Sequence, residues 1–129
     1  LISGKCTSIF LKKKIKMRSG ETDKSVSVKD FALFEKIRSF VEKCGFRGMI
    51  DIDLFLIGDK WYLSEVNPRF GGGYPHAYGC GVNTPAALIR NLEGKENPVT
   101  IGEYAEGVYM MKYNEIMLRT QEQLSNNRI

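Results

Sequence analysis

Hydrophobic and polar side chains alternate along three stretches of the chain. Residues 9–17 and residues 107–114 each predict a strand, because successive side chains of a strand face opposite sides. Between residues 49 and 67, two alternating runs flank a Gly-Asp-Lys connection, which is typical of a β-hairpin. The turn sequence SGETD, residues 19–23, ends the first strand. We therefore expect a first strand or hairpin arm, a central hairpin and a last strand.

Two further segments carry helix signals at both ends. Asp30 is the predicted N-cap of the first helix, and Gly45 lies just past its end. The second helix, residues 86–93, is predicted to have Thr84 as its N-cap, a proline at its first position and Gly94 beyond its end. One face of the first helix is apolar and is predicted to be buried; it carries Phe31, Phe34, Ile37, Val41 and Cys44.

The composition excludes several classes of protein. With 129 residues, of which 43% are hydrophobic and 26% charged, the chain suits one globular domain with a modest core. No apolar run approaches the roughly 20 residues that span a bilayer, and the first residues lack the order of a signal peptide. We therefore expect no membrane association and a cytoplasmic location. Cys6, Cys44 and Cys80 are widely spaced and form no C-x-x-C pair, which favours free thiols over disulfides or zinc.

The net charge of +4 is concentrated near the start of the chain. Residues 1–18 carry six of the 19 basic side chains and no acid, which leaves 13 basic against 15 acidic residues afterwards. Such a strand suits phosphate or carboxylate ligands at least as well as nucleic acid, because Phe10 is the only aromatic residue among the cations. A solvated edge strand would explain the cluster of basic residues without any ligand. A non-catalytic module that binds an acidic partner or nucleic acid through residues 12–18 remains the alternative function.

The central hairpin carries acidic side chains at matching positions. If the Gly-Asp-Lys connection is a three-residue loop, Asp53 lies opposite Glu65 and Asp51 lies opposite Asn67. Like charges that face each other across a strand pair repel, so this face favours a bound cation, and oxygen ligands select Mg²⁺. A one-residue change of loop length would instead put Asp53 opposite Ser64, and acidic faces are common on solvated sheets.

Arg69 follows Asn67 by two residues in the same direction along the chain. A guanidinium at this point can bind an anion bidentately beside a metal ion, although it can also be an ordinary surface arginine in a loop. The sequence therefore leaves two interpretations of Arg69 open.

Residues 48–73, GMIDIDLFLIGDKWYLSEVNPRFGGG, resemble the metal-binding hairpin of the ATP-grasp superfamily. Within them, EVNPR is similar to the large subunit of carbamoyl phosphate synthetase and to related carboxylate-amine ligases. The resemblance implies that Asp53, Glu65 and Asn67 bind two Mg²⁺ (or Mn²⁺) ions that bridge the phosphates of ATP, with Asp51 competing for the first position. It also implies that Arg69 is catalytic, beside the transferred phosphoryl group or the acid substrate.

The same resemblance gives the basic strand a function, because the family places cations before its helix to face the ATP phosphates. Lys14, Lys16 and Arg18 alternate to one face and are the candidates. The segment RSGETDKSVSV is similar to the Arg-x-Gly-Glu-Thr stretch of these relatives. The single histidine, His76, lies in a glycine-rich loop, where it either contacts substrate or has no function. Trp61 is expected to pack against the sheet or a neighbouring domain.

Pattern and resemblance together predict an α+β fold, an antiparallel sheet with packed helices that forms the C-terminal subdomain of an ATP-grasp domain. We assign its core to residues 9–113 and a polar helix or tail to residues 114–129. The implied reaction is attack of a carboxylate on the γ-phosphate of ATP, followed by capture of the acyl phosphate by an amine. The chain begins with Leu1 rather than Met, and we expect a piece of a longer polypeptide that is inactive without its N-terminal ATP-grasp subdomain.

Overall fold

The computed structural model describes residues 4–125 and confirms the α+β fold. The elements in chain order are β1 (Leu11–Arg18), β2 (Glu21–Val28), α1 (Phe31–Lys43), β3 (Asp51–Ile57), β4 (Lys60–Asn67), α2 (Tyr74–Gly79), α3 (Thr84–Leu92), β5 (Tyr109–Met111) and α4 (Gln121–Ser125). Within the described residues, β1, β2 and β5 form an antiparallel sheet in the order β1-β2-β5, and β3 pairs with β4 in a separate hairpin.

Strand β2 was not predicted, because its buried face is polar. Ser25 and Ser27 are both fully buried, while Val26 between them and Val28 after them are only half-buried. The Ser27 hydroxyl donates to the Ala105 carbonyl (2.7 Å) and accepts from the Val108 N–H (2.9 Å), so its burial leaves no unpaired group. The turn is also shorter than predicted and consists of two residues, Ser19 and Gly20, with φ of 50° and 78°.

Helix α1 confirms both predicted ends. The Asp30 side chain accepts a hydrogen bond from the Leu33 N–H at 2.9 Å, and Gly45 follows the helix with φ of 69°. The buried face is narrower than predicted: Phe31 is 65% exposed and Cys44 is also exposed, because this face is covered only around its centre. The buried side chains of α1 are Leu33, Phe34 and Val41.

Tyr104 ties the segment before β5 to the hairpin of β1 and β2. Its hydroxyl donates to the Val28 carbonyl (2.7 Å) and accepts from the Leu11 N–H (3.0 Å). Its ring packs against Phe10 at 4.7 Å between centroids and lies 6.5 Å from the ring of Phe34. This aromatic cluster forms part of the core.

The second half of the chain corrects three predictions. The glycine-rich segment contains a helix, α2, where a loop was expected. The N-cap of α3 is Asn83, whose side chain accepts from the Ala86 N–H at 3.1 Å, and Thr84 is the first helical residue. The last strand is shorter than predicted and covers residues 109–111, although residues 107, 108 and 112 also form backbone hydrogen bonds with β2. Among the described residues, no helix is long and apolar enough to cross a membrane.

Candidate functional site

The β3–β4 hairpin has the predicted pairing but not the predicted loop. Ile57 pairs with Lys60, so the connection is a two-residue turn. A regular ladder from such a turn would put Asp53 opposite Ser64. A bulge next to Asp53 shifts the register by one residue, and Asp53 therefore lies opposite Glu65.

Two residues further along, Asp51 lies opposite Asn67. The hairpin thus brings carboxylates and an amide together on paired positions, all with oxygen donors. Within residues 4–125, no three Asp, Glu, His or Cys side chains form a group that could hold a metal ion by themselves. Mg²⁺ is usually held by one or two carboxylates together with phosphate oxygens, so Asp53, Glu65 and Asn67 fit a metal that arrives with a nucleotide.

Strand β1 supplies a cation to this hairpin. The Lys14 Nζ lies 2.7 Å from the Asp53 Oδ1, and the two side chains are 35% and 31% exposed. A pair this exposed contributes about 1 kcal/mol or less. The Lys14 ammonium therefore lies against the Asp53 carboxylate and is held only weakly.

The other two predicted cations do not reach the hairpin acids. Irregular pairing on both sides of Lys16 interrupts the expected alternation along β1, and Lys16 and Arg18 are exposed. In the part of the chain that the structure describes, Lys14 is the one member of the predicted trio that bonds to a hairpin carboxylate.

Lys12 is a site residue that the sequence pattern missed. Its side chain is half-buried, and burial lowers the pKa of its ammonium, while the nearby Asp51 carboxylate opposes that shift. It lines a cavity of about 150 Å³ together with Lys14, Asp51 and Asp53. The sequence could have indicated Lys12 through its two-residue spacing from Lys14, which places both lysines on one side of the strand.

The three successive glycines each lie beside a charged side chain from another element. A Cβ at Gly71 would overlap the Asp51 carboxylate, one at Gly72 would lie 2.9 Å from the Glu21 Cδ, and one at Gly73 would lie 2.5 Å from the Lys12 Cε. None of the three has the positive φ that favours glycine. The triplet therefore reflects a need for space rather than turn geometry.

Arg69 is exposed in the segment between β4 and α2. Its Nη1 donates to the Phe70 carbonyl at 3.1 Å, and its backbone N–H donates to the Asn67 carbonyl at 2.8 Å. Among residues 4–125 it pairs with no carboxylate. The remaining guanidinium donors are thus available to an anion.

His76 is part of the core, which neither interpretation of the sequence anticipated. Its Nε2 lies 2.9 Å from the Val108 carbonyl, so this nitrogen carries the proton, and Nδ1 accepts from the Ser25 hydroxyl at 2.8 Å. Burial lowers the pKa of the imidazole. His76 therefore links α2 to β2 and to the chain before β5.

Trp61 lies near the turn of the β3–β4 hairpin and is 37% exposed, so the described chain covers it only in part. The same end of the hairpin carries several other large apolar side chains that are exposed over about half of their surface or more. They are Phe55, Leu56, Ile57, Tyr62 and Leu63.

An α+β chain with an acid- and amide-bearing hairpin and a basic strand beside it has the architecture of an ATP-grasp subdomain. The chain belongs to the ATP-grasp family described as ATP-grasp in the biosynthetic pathway with Ter operon, whose sequence model matches residues 4–116. The predicted superfamily is confirmed, and with it an ATP-binding function of the ligase type. No curated protein matches the chain.

Proposed function

We propose that this chain is the Mg-ATP-binding part of a ligase that activates a carboxylate as an acyl phosphate for capture by an amine. The observation that carries the proposal is the pairing of Asp53 with Glu65 across the bulged hairpin. A bulge that restores this pairing keeps two carboxylates together despite their repulsion, which a bound cation would offset. Asp53, Glu65 and Asn67 would hold Mg²⁺ or Mn²⁺, which would neutralise charge on the ATP phosphates.

In the proposed reaction, a carboxylate oxygen of the acid attacks the γ-phosphorus, and the bond between this phosphorus and the oxygen bridging it to ADP breaks. The amine then attacks the acyl carbon, and inorganic phosphate leaves. The guanidinium of Arg69 offsets negative charge on the transferred phosphoryl group or on the acid. Lys14, and further along the same strand Lys16 and Arg18, act on the nucleotide phosphates.

The chain would work in the cytoplasm as part of a longer polypeptide whose N-terminal ATP-grasp subdomain completes the nucleotide site, and it would be inactive alone. The exposed apolar side chains near the hairpin turn support the presence of a further subdomain, because an apolar surface of this kind is usually covered by another domain or protein. The acid and the amine would be small molecules.

The first test is calorimetric binding of Mg-ADP to the full-length polypeptide and to its Glu65→Gln variant. Loss of one metal-binding carboxylate is expected to raise the Kd by about tenfold or more, equivalent to about 1.4 kcal/mol. Glu103→Gln, at an exposed glutamate outside the hairpin, is the matched control and should bind as the unmodified protein does. Absence of binding to the unmodified protein at millimolar nucleotide would overturn the ligase assignment. Equal binding by all three proteins would remove Glu65 from the metal site.

A further inference from the structure

Lys12 has no function in the proposed reaction, although it is less exposed than the other lysines of β1. We propose that Lys12 binds an oxyanion of the reacting centre beside Gly71–Gly73, either the γ-phosphate or the carboxylate of the acceptor. This inference rests on the proposed function and extends it, because it assigns a second anion-binding side chain next to Lys14, the lysine that pairs with Asp53.

The position of Lys12 is set by the glycine triplet. A Cβ at Gly73 would lie 2.5 Å from the Lys12 Cε and 2.9 Å from its Nζ, so the end of the side chain lies against the glycine backbone. The Thr22 hydroxyl oxygen is 3.4 Å from the same point, which brings a neutral hydrogen-bonding group close by. Any larger residue at position 73 would push the ammonium away.

Of the two described lysines that line the cavity, Lys12 is the one without an ion-pair partner. Lys14 is paired with Asp53, whereas Lys12 makes no hydrogen bond and no close ion pair with residues 4–125. The Asp51 carboxylate opposes the lowering of the Lys12 pKa, but it forms no ion pair with Lys12. That carboxylate packs against Gly71 instead. A partly buried ammonium without a hydrogen-bond partner is unfavourable, and an oxyanion would supply the partner.

Location favours the reacting centre over a remote part of the nucleotide. Lys12 precedes Lys14 by two residues on β1, and Asp51 precedes Asp53 by two on β3, so this subsite adjoins the proposed metal site. On its other side lies the glycine segment that follows Arg69. An anion here would lie beside the proposed metal site and against the glycine segment.

The test compares Lys12→Met with Lys13→Met in the full-length polypeptide. Methionine keeps the length and the apolar stem of the lysine, and Lys13 is an exposed neighbour on the same strand. Calorimetry would use three titrants: Mg-ADP, Mg-AMP-PNP, and inorganic phosphate in the presence of saturating Mg-ADP. Mg-ADP affinity should stay within about twofold in both variants, because ADP lacks the reacting oxyanion, whereas a role of Lys12 in folding alone would lower it together with the melting temperature.

We expect Lys12→Met, and not Lys13→Met, to lose about tenfold in phosphate affinity, as for one charge-assisted hydrogen bond. A matching loss of Mg-AMP-PNP affinity identifies the γ-phosphate as the oxyanion, and a loss for phosphate alone identifies the acceptor side. The inference is overturned if the two variants bind both probes equally, or if the unmodified protein binds Mg-ADP but gains nothing from either probe. Failure of Mg-ADP to bind at all counts against the proposed function instead.

A second variant keeps the lysine but moves it. Gly73→Ala should reproduce the loss of oxyanion affinity, because its Cβ occupies the space of the Lys12 Cε. Gly79→Ala is the control, since a Cβ there meets nothing within 4 Å and the backbone angles are ordinary. Unchanged phosphate and Mg-AMP-PNP affinities in Gly73→Ala would contradict the assignment of Lys12.

Discussion

Gly71 shows most clearly how a single residue shapes this site, because the carboxylate of Asp51 fills the space where its side chain would be. Aspartate has a short side chain with few rotamers, whereas lysine can move its end away at little cost. A methyl group at position 71 should therefore be harder to accommodate than one at position 73, where the neighbour is the flexible Lys12.

This difference gives a prediction for stability. Gly71→Ala is expected to destabilise the protein by about 1–3 kcal/mol, the usual range for overpacking. Gly79→Ala should be neutral or slightly stabilising, because it restricts the unfolded chain without a clash. Urea unfolding of both variants and of Gly73→Ala measures these values. Equal stability of Gly71→Ala and Gly79→Ala would show that Asp51 does not pack as described.

At the scale of elements, His76 holds the short helix α2 in place. A six-residue helix has little stability of its own, and the imidazole connects it through hydrogen bonds to Ser25 on β2 and to the Val108 carbonyl. Burial lowers the pKa of His76 below its ordinary value of 6.5, so the folded state prefers the neutral ring. The contribution of that neutral ring to stability is fully present above pH 6.5 and is lost as pH falls below it.

We therefore expect the free energy of unfolding to decrease as the pH falls from about 7 to about 5. His76→Gln should be less stable than the unmodified protein by about 1–3 kcal/mol near neutrality, because buried partners lose their hydrogen bonds. Its stability should also depend less on pH over this interval, since the titrating group is gone. Urea titrations at three pH values test both effects, and parallel pH profiles for the two proteins would rule out His76 as the source.

The β3–β4 hairpin shows how an irregularity can preserve the pairing of two residues. The two-residue turn by itself would have placed Asp53 opposite Ser64. The bulge compensates for the turn and returns Glu65 to the position facing Asp53. The acidic pair therefore depends on two local features that act together.

At the scale of the whole molecule, the charge of +4 raises the alternative of a module that binds polyanions. The described structure weakens that alternative, because Lys14 is paired and Lys12 is half-buried. If all five cations of residues 12–18 bound phosphates of a single strand, the log-log salt slope would be about −3.5, at about 0.7 per contact.

We expect a much smaller slope for a labelled single-stranded oligonucleotide, measured by fluorescence anisotropy between about 50 and 200 mM salt. Removing divalent metal with a chelator should, in contrast, abolish nucleotide binding by the full-length polypeptide. A steep salt slope together with metal-independent binding would favour the interaction module over the ligase.

Local signals in the sequence determined much of this protein. The Asp30 cap, the apolar spacing and Gly45 predicted α1 correctly, since capping and helical periodicity depend on neighbours within a few residues. Period-two alternation likewise predicted the β3–β4 hairpin. The pairing of Asp53 with Glu65 was predicted only for a three-residue loop, and it occurs because a bulge offsets the two-residue turn. The sequence of that hairpin was also sufficient to identify the superfamily.

Other features were decided only by the tertiary structure. Strand β2 buries serines, which is favourable only because distant groups, including His76, satisfy their hydroxyls. The contact of Lys14 with Asp53 and the position of Lys12 beside Gly73 depend on how β1 meets β3 and the glycine segment. Such contacts join residues far apart in the chain, and no periodicity or cap within one segment encodes the distance between two of them.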